Sequence, residues 1–84
     1  MKSKHRKTLE LIFHRPVSGN VRWDEVVAML HEIDAKFEER EGSRVAITLN
    51  ADTVVQHRPH PSPTMDKGAV ASLRKFLEYH GIKP

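Results

Sequence analysis

The chain has 84 residues, a formal net charge of +3 and no cysteine. This length predicts one small domain, and the lack of cysteine excludes disulfides and thiolate metal sites. No apolar stretch approaches the ~20 residues of a membrane span, and the N-terminus lacks the apolar run of a signal peptide, so we expect a cytoplasmic protein.

Positive charge is concentrated at the two ends of the chain. Residues 1–15 carry a net charge of +4, residues 16–42 a net charge of −4 and residues 43–84 a net charge of +3. A polyanion would therefore favour the first segment and the C-terminal half, and would avoid the middle. A solvated surface of mixed charge is the competing interpretation.

The first part of the chain predicts two helices. Ser3 can cap a helix over residues 3–13, which the Pro, Ser and Gly of residues 16–19 then end. Trp23 opens a second helix, where apolar residues recur at helical spacing and two acids lie in the first turn. We expect Trp23 to anchor the core.

In the middle of the chain, apolar residues recur at every second position instead of at helical spacing. This pattern predicts three short strands, at residues 36–40, 43–49 and 53–57. A hairpin turn at residues 50–52 joins the last two, although it lacks the glycine that suits such turns best. In the second strand one face is apolar, with Val45, Ile47 and Leu49.

The end of the chain predicts a third helix over residues 67–80, with Asp66 as its cap and Gly81 as its stop. The result is an α+β domain in the order α-α-β-β-β-α, with its helices on one face of an antiparallel sheet. This is the layout of a double-stranded-RNA-binding domain. We expect one core that contains Val45, Ile47, Val70, Leu73 and Leu77.

The segment His-Arg-Pro-His-Pro-Ser-Pro at residues 57–63 combines two imidazoles and a guanidinium with three prolines. Proline restrains its own backbone and that of the preceding residue, so we expect an extended segment after the third strand. Histidine exchanges protons near neutral pH and arginine binds phosphate with a planar fork of donors. The segment therefore indicates binding of, or chemistry on, a phosphodiester.

A metal site is a weaker interpretation of the same residues. His57, His60 and Asp66 would be splayed along an extended segment, whereas zinc sites use three or four convergent ligands, so we expect no metal or cofactor. The remaining histidines lie on predicted helices and are expected to be surface or boundary residues: His5, His14, His31 and His80.

Four pieces of the sequence together resemble the HicA family of toxins from type II toxin–antitoxin systems. They are Trp-Asp-Glu-Val at 23–26, Gly-Ser-Arg-Val at 42–45, His-Pro at 60–61 and Lys-Gly-Ala-Val at 67–70. The similarity covers residues 20–82, and residues 1–15 add an N-terminal helix to a single domain of residues 1–84. The resemblance implies the fold described above, cleavage or blocking of messenger RNA, and neutralisation by a HicB-type antitoxin.

One position departs from that family. HicA toxins usually carry their catalytic histidine directly after the Gly-Ser or Gly-Asn turn, and here Arg44 follows Gly42 and Ser43. Either catalysis has moved to His57 or His60, or Arg44 retains RNA binding in a catalytically weakened protein.

The sequence thus favours a metal-independent endoribonuclease with His60 and His57 as the proton-transfer residues. The residues expected to bind RNA are Ser43, Arg44, Arg58, Lys67 and Arg74. Two alternatives stay open: a catalytically degenerate RNA-binding module of the same fold, and a structural or regulatory protein that binds another protein through the acidic region of the second helix.

Overall fold

The computed structural model describes all residues from Met1 to Pro84. Its elements follow the predicted order: α1 (Ser3–Ile12), α2 (Trp23–Glu32), β1 (Lys36–Glu39), β2 (Arg44–Leu49), β3 (Asp52–His57) and α3 (Lys67–Tyr79). The predicted α+β class and the α-α-β-β-β-α order are confirmed.

The strands form one antiparallel sheet in the order β1-β2-β3. Ile47 in the central strand lies opposite Phe37 on one side and Val54 on the other, and this row faces the helices. The alternate row faces away from the helices, with Ala46 between Glu38 and Val55. The period of two in the sequence therefore separates a core face from a solvent face.

The helices cover the core face of the sheet. A cluster of 15 buried residues draws side chains from all three helices and from β2. The five residues predicted to share one core are all in this cluster, and none is more than 1% exposed: Val45, Ile47, Val70, Leu73 and Leu77. Trp23 is half-buried and packs against the cluster, so it contributes to the core without being one of its buried residues.

The first helix is an integral part of this packing. Leu9 and Ile12 of α1 are buried in the common cluster, at 2% and 0% exposure. The Ser3 cap was wrong, because Lys2 occupies the N-cap position and its carbonyl accepts the first helical bond from the Arg6 N–H at 3.0 Å. The Lys2 N–H donates to the Glu32 carboxylate at 3.2 Å and joins the start of α1 to the end of α2.

The hairpin between β2 and β3 has a two-residue loop, Asn50 and Ala51. Both residues have positive φ, +51° and +67°, which is typical of the type I′ turns that match the twist of antiparallel strands. Leu49 and Asp52 face each other on either side of the loop. The predicted turn is confirmed at Asn50 and Ala51, whereas Asp52 belongs to β3. Ala51 has a conformation that glycine adopts more easily.

Candidate nucleic-acid interface

The turn before β2 determines where the candidate site begins. Gly42 and Ser43 both have positive φ, +68° and +62°, so the chain reverses sharply and Arg44 becomes the first residue of β2. The Ser43 carbonyl accepts a hydrogen bond from the Arg58 N–H at 2.8 Å. This bond attaches the turn to the residue that follows β3.

Arg44 lies directly opposite His57 on the neighbouring strand. Facing residues in an antiparallel pair have Cβ atoms ~4.5–5.5 Å apart. The two side chains belong to the sheet face that points away from the helices, and both are exposed. The fold thus brings together two of the residues that the sequence nominated from separate motifs.

The Arg44 guanidinium is fixed without being neutralised. Its Nε donates to the Glu41 carbonyl at 3.0 Å, and the side chain forms no ion pair with a carboxylate. A backbone carbonyl orients the group but leaves its full charge. The remaining N–H donors have no hydrogen-bond partner, and a guanidinium presents such donors as a planar fork that can bind a phosphate.

His57 is the last residue of β3 and lies beside the start of α3. It lines a shallow groove together with Asp66, Ala69 and Ser72. The Asp66 carboxylate accepts a hydrogen bond from the Ala69 N–H at 2.8 Å, which confirms the predicted cap of α3. The imidazole itself has no hydrogen-bond partner and is exposed to solvent.

Arg58 points away from His57, because adjacent residues of an extended chain project to opposite sides. Its guanidinium forms an ion pair with Glu39 of β1. That hydrogen bond lowers the pKa of the Glu39 carboxyl below its usual range and raises the pKa of Arg58. The charge of Arg58 is therefore partly compensated, in contrast with that of Arg44.

The proline-rich segment, residues 58–66, passes along the start of α2. The Pro63 carbonyl accepts from the Trp23 N–H at 3.0 Å, and the Met65 N–H donates to the Val21 carbonyl at 2.8 Å. Arg58 lines a groove here with Trp23 and two of the prolines. The segment is held to α2 by backbone hydrogen bonds. It bends at residues 61–63, so it is not extended throughout as expected.

His60 is exposed at the middle of this segment and its imidazole has no hydrogen-bond partner. The His60–Pro61 peptide bond is cis. His57 ends a strand and lines the groove beside α3, whereas His60 lies on the irregular segment beyond Arg58. The structure leaves both imidazoles accessible.

The remaining two predicted RNA-binding residues lie on α3. Lys67 is exposed at the first position of the helix, close to the loop that contains Gly19. Arg74 is only 8% exposed, because position 74 falls in the buried stripe of α3 formed by Val70, Leu73 and Leu77. Arg74 therefore does not share the exposed surface of Arg44 and Lys67.

Two other histidines form structural links to acids. His5 is buried, 6% exposed, and its Nδ1 bonds to the Glu32 carboxylate, which lowers the pKa of that carboxyl. His80 Nε2 lies 3.0 Å from the Asp52 carboxylate and joins the end of α3 to the start of β3. The prediction that His5 is a surface or boundary residue was wrong, since it packs between α1 and α2.

Sequence reasoning missed Glu39, whereas it had named Asp66 beside the two histidines. Glu39 partners Arg58, and Asp66 lines the His57 groove as well as capping α3. Its position at the end of β1, shortly before the turn that leads to Arg44, could have indicated that Glu39 lies near the site. No group of three histidine, aspartate or glutamate residues converges in a metal-binding arrangement.

The architecture and the exposed cationic end of the sheet define a small α+β domain with a candidate phosphate-binding surface. Residues 23–82 match the family described as the HicA toxin of bacterial toxin–antitoxin systems. The match covers most of the chain, and the chain therefore belongs to this toxin family.

No curated protein and no solved structure gives a significant match. None of the helices has the length and apolar character needed to cross a membrane.

Proposed function

We propose that this toxin-family protein is an endoribonuclease that cleaves messenger RNA in the cytoplasm and is neutralised by a HicB-like antitoxin. The observation that carries the proposal is the pairing of His57 with Arg44 at the end of β3 and the start of β2. Position 44 is where the family resemblance places a histidine. His57 lies beside that position on the next strand, so an imidazole is still available there.

RNA cleavage requires little from the protein because the substrate contains its own nucleophile, the 2′-hydroxyl. A base takes the proton of this hydroxyl, the 2′-oxygen attacks phosphorus, and the bond to the 5′-oxygen breaks. An acid protonates that leaving oxygen, and cations stabilise the charge of the phosphorane. The products are a 2′,3′-cyclic phosphate and a 5′-hydroxyl, and none of these steps requires a metal.

The exposed residues of the site match these roles. His57 and His60 supply the base and the acid, and Arg44 holds the phosphate through its free donors. The Ser43 hydroxyl adds an uncharged donor at the turn, and Lys67 adds a positive charge at the start of α3. Arg58 has a secondary role, because Glu39 competes with phosphate for its guanidinium.

A second function, RNA binding without cleavage, is favoured by one specific observation. Arg44 occupies the position of the family histidine, and its anchored, uncompensated guanidinium suits phosphate binding better than proton transfer. Such a protein would block a message instead of cutting it.

Expression of the chain from a tightly controlled promoter separates these functions. We expect arrested growth with fragmented mRNA, and rescue of both by co-expression of the HicB-like antitoxin. Substitution of His57 and His60 by alanine should restore growth, and His31→Ala serves as the matched control because His31 is exposed on α2. Growth arrest with intact mRNA would support the binding function, and normal growth with intact mRNA would contradict both.

A further inference from the structure

The exposed face of α1 carries the densest group of free positive charge in the protein. Its buried side is formed by His5, Thr8, Leu9 and Ile12. The cations at the remaining positions therefore point to solvent, and they are Lys4, Arg6 and Lys7, with Lys2 just before the helix. None of these four side chains forms an ion pair.

Several arginines elsewhere are compensated by nearby acids. Arg22 pairs with Asp24, Arg40 with Glu38 and Arg58 with Glu39. The formal net charge therefore understates how much free positive charge α1 presents. Glu10 is the one acid within α1 and forms no ion pair.

The residue types on this face favour RNA over a protein as its binding partner. From Ser3 to Glu10 every exposed position is polar or charged. The centres of protein interfaces are rich in aromatic residues and poor in lysine, so this face lacks the anchors that a protein partner needs. Closely spaced lysine and arginine side chains are the groups that neutralise successive phosphates.

The two flanks of α1 differ in their surroundings. Lys4 borders a groove that also contains Asp24 and Glu25 of α2, and these acids reduce its attraction for phosphate. Arg6 borders the C-terminal residues, where Lys83 adds a further positive charge. Arg6 and Lys7 do not line the groove that contains Asp24 and Glu25, so they are the residues of this face chosen for substitution.

We propose that the exposed face of α1 binds the sugar–phosphate backbone of the same single-stranded RNA that enters the Arg44–His57 site, an inference that rests on the proposed function. The protein is only 31 Å across its longest axis. At about 3.4 Å per nucleotide for a stacked strand, roughly ten nucleotides span that distance. Because α1 lies in the helical layer and Arg44 and His57 face away from that layer, a strand that contacts both surfaces passes around an edge of the domain and is longer than this span. This helix lies outside the region matched to the toxin family, residues 23–82, and adds affinity to the shared site.

Point variants test this inference, because removal of α1 would also remove two core residues, Leu9 and Ile12. The double variant Arg6→Gln/Lys7→Gln is compared with Lys36→Gln/Lys75→Gln, which removes the same charge from exposed, unpaired lysines on β1 and α3. The exchange Arg6→Lys/Lys7→Arg keeps the charge of α1. The probe is a 20-nucleotide single-stranded RNA without self-complementarity, and its affinity is measured over a range of salt concentrations.

We expect Arg6→Gln/Lys7→Gln to weaken RNA binding on the order of tenfold at 0.1 M salt, and to reduce the slope of log affinity against log salt by about 1.4, or ~0.7 per phosphate contact. The charge-preserving exchange should bind like the unaltered chain. Equal salt slopes for Arg6→Gln/Lys7→Gln and Lys36→Gln/Lys75→Gln would overturn the inference about α1. The proposed function would still stand in that case if the unaltered chain binds RNA. If Arg6→Gln/Lys7→Gln loses antitoxin binding but keeps its RNA binding, the inference about α1 is also overturned. If the unaltered chain does not bind RNA, both this inference and the proposed function are overturned.

Discussion

Arg44 and His57 face each other at the open end of the sheet, where β2 begins and β3 ends. The Arg44 carbonyl accepts from the Arg40 N–H on the β1 side at 2.8 Å, so its main-chain acceptor is directed away from β3. In antiparallel sheets, the pairs that do not exchange backbone bonds are those whose side chains approach most closely. An anchored guanidinium and a free imidazole therefore share one small exposed area.

The first prediction concerns the core. Leu73 is fully buried in α3, and Leu73→Ala should lower the free energy of unfolding by ~2–5 kcal/mol, because it removes buried methyl groups and leaves a cavity. Denaturant titration measures this change. Lys75→Ala, at an exposed position of the same helix, should change stability by less than about 0.5 kcal/mol. Equal stability of the two variants would show that the core is assigned wrongly.

The second prediction concerns the hairpin. Ala51 has φ of +67°, a conformation that costs a residue with a Cβ roughly 1–2 kcal/mol. Ala51→Gly relieves this cost but adds freedom to the unfolded chain, so we expect a net gain of about 0.5–1 kcal/mol. The same exchange at Ala71, within α3, should instead lower stability by about 0.5–1 kcal/mol. A loss of stability in both variants would contradict the turn conformation.

The third prediction concerns the ion pair of Arg58 with Glu39. The arginine lowers the pKa of the Glu39 carboxyl, so the pair stabilises the fold above the unfolded-state pKa and this contribution disappears as the pH falls through the folded-state pKa. Arg58→Gln should raise the pKa of Glu39 towards its ordinary value, as observed by NMR titration of the carboxyl carbon. Arg40→Gln removes the ion pair with Glu38, and we expect it to leave the pKa of Glu39 unchanged. Identical Glu39 midpoints in the unaltered chain and in Arg58→Gln would exclude the pair in solution.

The fourth prediction concerns the antitoxin. An inhibitor that covers the proposed site should shield Arg44, His57 and His60 from solvent. Histidine modification followed by mass spectrometry should therefore show slower reaction of His57 and His60 in the complex. His31, exposed on α2, provides the internal reference. Equal rates for His57 and His60 with and without the antitoxin would mean that inhibition acts from another surface.

The fold was largely predictable because each element has a clear local signal. The alternation around Ile47 separates the two sheet faces, and Val70, Leu73 and Leu77 recur at helical spacing. The Asp66 cap and the Asn50–Ala51 turn also depend on local geometry. Ser3 shows the limit of such signals, since the long-range bond from the Lys2 N–H to Glu32 contributes to where α1 starts.

The site was only partly predictable, because ion pairing between distant residues decides which cations are free. Arg44 and Arg58 look alike in the sequence, yet Glu39 compensates only Arg58. Arg74 was assigned to the surface from its charge, although its spacing from Val70 and Leu77 already placed it on the buried stripe. The link between His5 and Glu32 joins residues 27 positions apart, and no local pattern indicates it.

Cleavage of a defined single-stranded RNA by the purified protein, without the antitoxin, tests the central claim most directly. We expect cutting that persists in a metal chelator, and 2′,3′-cyclic phosphate ends in the products. His57→Ala and His60→Ala should each lower the rate by ~10²–10⁴-fold with RNA affinity retained, since this is the usual contribution of an acid–base group. Arg44→Ala should lower affinity more than rate, and His31→Ala should cut normally. Cleavage by both His57→Ala and His60→Ala at the rate of the unaltered chain would contradict the account.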